Sequence, residues 1–167
     1  MSLTPSIRRA QSTVPTAGFN SETLDRQSMA GPRRGSYLVF DVSGSVSGDG
    51  DEANNVIQSR RRTEWRLHLF RGEKALVFVM DASEPDQVAQ ARDELAWLLA
   101  QEELRTSVVL VLANKQDLPG ALTSDALSER ATLETLLQGR RWGCLGVSAQ
   151  SGDGVHAVVE WLETNLH

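Results

Sequence analysis

A chain of 167 residues with 40% hydrophobic side chains is long enough to bury a core, and its mean hydropathy of -0.29 excludes a membrane-embedded or disordered protein as the first reading. The net charge of -5 excludes non-specific nucleic-acid binding, which needs a basic surface. Cys144 is the single cysteine, so an intramolecular disulfide is excluded and a reducing compartment fits.

In chain order, MSLTPSIRRAQS lacks the apolar block of a signal peptide, and Ser2 stands where N-myristoylation needs glycine. No apolar run approaches membrane-spanning length, and with the single cysteine internal no C-terminal lipidation box is expected. The expectation is a cytoplasmic protein with no intrinsic membrane anchor. NSETLDRQSM reads as a strand paired with SYLVFDV (Ser36–Val42), the two turned by the Gly and Pro of AGPRRG. Residues 43–62, SGSVSGDGDEANNVIQSRRR, are rich in Gly, Ser and charge. They read as a solvent-exposed flexible loop, inserted over residues 45–62. Arg60, Arg61 and Arg62 read as its solvated end.

The second half alternates strands and helices. ALVFVMD (Ala75–Asp81) and SVVLVLANKQD are apolar on both faces, as buried parallel strands are. Between them, Val88, Ala91, Leu95, Leu98 and Leu99 fall on one helical face, and Pro85 suits a first turn. Residues 123–140 read as one helix with Thr123 or Ser124 as its cap. Residues 144–149, CLGVSA, read as a short strand. Residues 153–166 read as a last helix with Val155, Val158, Val159 and Leu162 inward. This is βαβαβα, an α/β doubly wound sheet with helices on both faces. His68, His156 and His167 have no metal-ligand spacing with Cys144. Trp65, Trp97, Trp142 and Trp161 read as core or near-core residues.

The chemistry-bearing motif is NKQD. In an Asn-Lys-x-Asp loop after a buried strand, Asp117 can accept two hydrogen bonds from the N1 and N2 edge of guanine. Adenine lacks both donors. Hydrogen bonds to a charged group are worth about 1.5–3 kcal/mol each, so two of them decide between bases. Asn114 would brace the loop and reach the N7 side, and the alkyl stem of Lys115 would cover the ring. By themselves four residues also fit a plain polar turn.

The surrounding sequence narrows the choice. LVFVMDASEPDQVAQARDELAWLLAQEELRTSVVLVLANKQDLPGA closely resembles the ADP-ribosylation-factor (Arf and Arf-like) branch of small GTPases, and so does SAQSGDGVHAVVEWLETNL. The resemblance implies a Ras-like, P-loop NTPase-type sheet, GTP or GDP as ligand, and Mg²⁺. It puts Ser148, Ala149 and Gln150 in the second base-contact loop, where the Ala149 N–H would meet guanine O6. VPTAGFNSETL is similar to switch I, which implies that Thr16 faces Mg²⁺ and the γ-phosphate. FDVSG resembles the start of switch II, with Asp41 as the acid on the Mg²⁺ side and Gly44 as a γ-phosphate N–H donor.

Two departures shape the functional expectation. The phosphate loop requires G-x-x-x-x-G-K-[ST], whose backbone amides and lysine hold the phosphates. The chain has two lysines, Lys74 and Lys115, and no Gly-Lys pair. Switch II in the family reads D-x-G-G-Q, with the glutamine orienting the attacking water. Here Asp41-Val42-Ser43-Gly44-Ser45 puts a short serine at that place. The expectation is therefore a single Arf-like G domain over residues 1–167, N-terminally incomplete, with the first strand and phosphate loop missing. That gap would span about 10 Å, so the sheet rearranges, a partner supplies a strand, or the protein is longer.

The resulting reading is an Arf-like GTP-binding protein of the membrane-traffic type, cytoplasmic or peripheral to membranes. Its guanine-nucleotide binding and hydrolysis are expected to be weak or lost. The alternatives are a pseudo-GTPase interaction module with partners unknown, or a longer active Arf-like GTPase of which these residues are one part.

Overall fold

The structure is a computed structural model that describes the backbone of residues 19–25 and 36–42 and all atoms of residues 74–166. Thr16, Gly44 and the 45–62 loop lie outside the described residues. The chain divides into two compact units, one holding the described strands before residue 69 and the other residues 74–166.

In the first unit, β1 (Phe19–Asp25) and β2 (Ser36–Val42) form an antiparallel pair. Phe19 lies opposite Val42 and Asp25 opposite Ser36, which puts Asp41 opposite Asn20. The expected pairing of these two segments is what the structure has.

In the second unit, β3 (Ala75–Asp81), β4 (Val108–Asn114) and β5 (Trp142–Gly146) form a parallel sheet in that order. Parallel neighbours require crossovers, and helices supply them. β4 is central, and its alternating side chains build two cores. Val109, Val111 and Ala113 face α1 (Val88–Leu99), α2 (Ser124–Arg130) and α3 (Leu133–Leu136), packing with Met80, Val88, Leu95, Leu127, Leu133 and Leu137. Leu110 and Leu112 face the other way, with Val147 and with Val158, Trp161 and Leu162 of α4 (Val155–Asn165). Helices on both faces of a parallel sheet are the expected α/β arrangement.

Several expectations are corrected in detail. β3 is buried on one face only: Leu76, Phe78 and Met80 point to the first core, while Val77 and Val79 are 40% and 55% exposed. Among the described residues, α4 covers β4 and β5 and does not extend the second core to β3. The helix that carries the expected apolar face ends at Leu99. Pro85–Gln87 forms a 3₁₀ turn ahead of it, Gln101 is extended, and a second 3₁₀ turn, Glu102–Leu104, buries Leu104. The Arg140 guanidinium takes the orphan Leu99 carbonyl at 2.9 Å and that of Leu104 at 2.7 Å, which satisfies the helix end.

The helix expected over 123–140 is broken at Thr132, whose φ of 50° is left-handed, with Arg92 Nε donating to its hydroxyl at 3.1 Å. Of the two candidate caps, Thr123 is the one used, its hydroxyl accepting from the Ala126 N–H at 3.2 Å. β5 begins two residues earlier than expected. It ends at Gly146 because the Ser148 N–H leaves the ladder to donate to the Asp153 carbonyl at 2.9 Å. In α4, Val158 and Leu162 turn inward as expected, but Val159 is 46% exposed, a quarter-turn off the packed stripe that Trp161 completes.

Candidate guanine-recognition site

The site is built where β4 ends. The strand delivers Asn114, and the chain then turns sharply at Lys115, whose φ is 69°. The Leu118 N–H closes the turn on the Lys115 carbonyl at 3.0 Å. Gln116 pins it from inside. Its N–H donates to the Val147 carbonyl at 3.1 Å, and its Nε2 donates to the carbonyls of Ala113 at 3.2 Å and Leu122 at 2.8 Å. Sequence reasoning left Gln116 without a role, since it is the variable position of the motif. Gly146 faces it, and a Cβ there would sit 3.4 Å from Gln116 Cγ.

The second loop leaves β5 and is joined to the first by two side-chain bonds. Asn114 Oδ1 accepts from the Ala149 N–H at 3.0 Å, which links the two loops. Any further carbonyl oxygen brought to that N–H would share the donor with the Asn114 amide. Ser148, 1% exposed, donates through Oγ to Asp117 Oδ1 at 2.6 Å and accepts from the Ser151 N–H at 3.1 Å. Asp117 itself is exposed, with its second carboxylate oxygen outside that bond. Gly154, at φ 76°, lets the loop turn back over β5. A Cβ there would fall against the Gly146 carbonyl oxygen and within 3.2 Å of Val147.

Asp81, at the end of β3, is a contributor the sequence reading did not single out, although it closes the ALVFVMD run. It lies in register with Asn114, and the next residue's N–H, that of Ala82, donates to the Asn114 carbonyl at 3.1 Å. Its Oδ1 accepts from the Ser83 N–H at 2.9 Å and the Ser83 hydroxyl at 2.6 Å, and its Oδ2 lies 2.5 Å from Lys115 Nζ. Burial works to raise the Asp81 pKa, but the hydrogen bonds from Lys115 and Ser83 outweigh it and hold the carboxyl below its ordinary value. The same contact with Asp81 raises the Lys115 ammonium above its ordinary value, against a smaller opposing effect of burial.

Five of the expected site residues thus come together: Asn114, Lys115, Asp117, Ser148 and Ala149. The Ala149 N–H and the Asp117 carboxylate are both tied to the opposite loop, the first to Asn114 and the second to Ser148. Of the switch residues, only the backbone of Asp41 is described, in β2. Among the described residues no group of three or more His, Cys, Asp or Glu is arranged to hold a metal ion.

The ADP-ribosylation factor family model matches residues 5–166, nearly the whole chain. The chain belongs to the ADP-ribosylation factor family. Its fold is also that of a solved family structure, the Arl6 BBS3 small GTPase from Trypanosoma brucei with bound nucleotide analogue GppNp. The two share 24% identity with a TM-score of 0.72, over 93% of this chain and 83% of that one. Identity at that level carries the architecture, and the family match carries the lineage. Among the described residues no helix is long and apolar enough to cross a membrane.

Proposed function

We propose that this chain is an Arf-family guanine-binding protein that keeps base recognition while its phosphate chemistry is weak or lost. The observation that carries the reading is the joining of two loops at the base site: Asn114 to Ala149 and Asp117 to Ser148. Anchoring Asp117 before a base arrives lowers the cost of using it as the selective acceptor. The GppNp bound to the Arl6 relative supports guanine nucleotide as the ligand class, and the family adds Mg²⁺, with Thr16 and Asp41 as the residues that would face it.

The weakness of the phosphate chemistry rests on sequence. These 167 residues contain no Gly-Lys pair, and Ser45 stands where the family's water-orienting glutamine belongs. Three charged phosphate contacts at about 1.5–3 kcal/mol each amount to about three to six decades of affinity. The 167-residue chain therefore binds guanosine and GDP with similar, weak affinity, prefers both over adenine counterparts, and releases no phosphate from GTP above background. Calorimetry and a phosphate-release assay test this. Sub-micromolar GTP binding, or turnover abolished by Asp41→Ala, would overturn it.

The altered switch II, Ser43-Gly44-Ser45, favours one second reading: a pseudo-GTPase that works as an interaction module at a membrane-traffic step, in the cytoplasm or peripheral to a membrane. Equal weak binding of guanosine and adenosine would favour that reading over the first.

A further inference from the structure

Lys115 is the one residue of the Asn-Lys-x-Asp loop whose backbone is left-handed, at φ 69°. A non-glycine residue stays in that region only where its surroundings hold it. The Leu118 N–H on its carbonyl and the Gln116 N–H on Val147 hold the backbone. Its side chain is held by a different strand. Asp81 has one carboxylate oxygen fixed by the backbone and hydroxyl of Ser83, which leaves the other directed at Lys115 Nζ. The Ala82-to-Asn114 bond and the Leu122 N–H on the Ala82 carbonyl, at 2.8 Å, tie the same end of β3 to both sides of the loop.

We propose that Asp81 is a positioning residue for the guanine loop: anchored by Ser83, it draws the Lys115 ammonium to the end of β3 and lays out the lysine stem as a platform before a base arrives. The proposal rests on the guanine reading of the site. It divides the work between two carboxylates. Asp117, held by Ser148, selects the edge of the base. Asp81, acting through Lys115, sets how firmly any purine with a guanine-like outline is held and has no part in the selection. A lysine stem has many rotamers, and restraining it in the free protein removes an ordering cost from binding.

The test uses the full chain with guanosine, inosine and adenosine as probes, titrated by NMR. Inosine lacks the N2 donor, so the guanosine-to-inosine ratio reads Asp117 alone. Asp81→Asn, which keeps the Ser83 bonds and removes the charge, lowers guanosine and inosine affinity together, by about three- to fivefold for a part-exposed pair, and leaves their ratio unchanged. Asp81→Glu recovers part of the loss. In the ligand-free protein, the Gln116 and Ala149 amides exchange several-fold faster in Asp81→Asn than in wild type. Unchanged affinity and unchanged exchange overturn the proposal, and so does a shifted guanosine-to-inosine ratio. A wild-type chain with no preference for guanosine over adenosine sinks the guanine reading instead, and the ligand-free exchange then still decides whether Asp81 positions the loop.

Discussion

Ser148 and Asp117, 31 positions apart, share a 2.6 Å hydrogen bond in which a buried hydroxyl donates to an exposed carboxylate. The bond carries directional information across the two loops, because Ser148 is itself fixed by the Ser151 N–H. Ser148→Ala leaves that N–H without its partner and frees the Asp117 side chain. The variant loses about 1–2 kcal/mol of stability and most of its guanine-over-adenine preference, with less change in total purine affinity. Chemical denaturation and paired guanosine and adenosine titrations read the two effects separately.

The Asp81–Lys115 pair sets a stability contribution with two edges. Asp81 titrates below its ordinary 3.8 in the folded chain, so its share is present above that value and lost as pH falls through the lowered folded pKa. Lys115 titrates above its ordinary 10.5, so its share is present below that value and lost as pH rises through the raised folded pKa. Both side chains are part-exposed, which limits the pair to about 1 kcal/mol. The stability difference between wild type and Asp81→Asn is flat through neutral pH and shrinks at both extremes. A difference that grew on acidification would contradict the pairing.

Gly154→Ala breaks the return of the second loop. It combines a left-handed φ of 76° with a Cβ directed into the Gly146 carbonyl and the Val147 backbone. Strain and overpacking together cost about 2–4 kcal/mol. Thermal melting reads this against Gly139→Ala, where φ is also positive at 80° but the Cβ meets open space, so the cost is smaller.

Cys144 is a structural thiol. Burial, with a smaller effect of the nearby Asp125 charge, pushes its pKa up to about 11, and its Sγ donates to the Ser124 carbonyl at 3.5 Å. At pH 8 it reacts with a thiol reagent about a hundredfold more slowly in the folded chain than in denaturant. Equal rates in the two states would show that β5 opens freely.

The alternation of apolar runs with amphipathic stretches determined the α/β class and strands β3 to β5, the Gly and Pro of AGPRRG pointed to the pairing of β1 with β2, and the Asn-Lys-x-Asp loop was legible as a motif after a buried strand. Those features are local: a buried strand needs consecutive apolar residues, a helix needs its 3.6-residue stripe, and Thr123 can cap wherever its own backbone turns. Ser148 and Ala149 were placed in a second loop only through the family resemblance.

Tertiary structure decided what depends on residues far apart in sequence. Thr132 breaks a helix that its own stretch would continue, and the Arg92 side chain bonds it there from 40 positions away. Arg140 takes the carbonyl at the end of α1 across 41 positions. Val77, Val79 and Val159 are as apolar as their buried neighbours yet exposed: among the described residues α4 packs on β4 and β5 rather than on β3, and Val159 lies off the packed stripe of α4. The pairing of Asp81 with Lys115 follows from the parallel register that sets Asp81 opposite Asn114. Apolar pattern states which face of a strand is buried but not which residue of a distant strand it meets. Parallel register is set by packing across the crossover helix, so the contacts that shape this site emerge only when the two strand ends lie side by side.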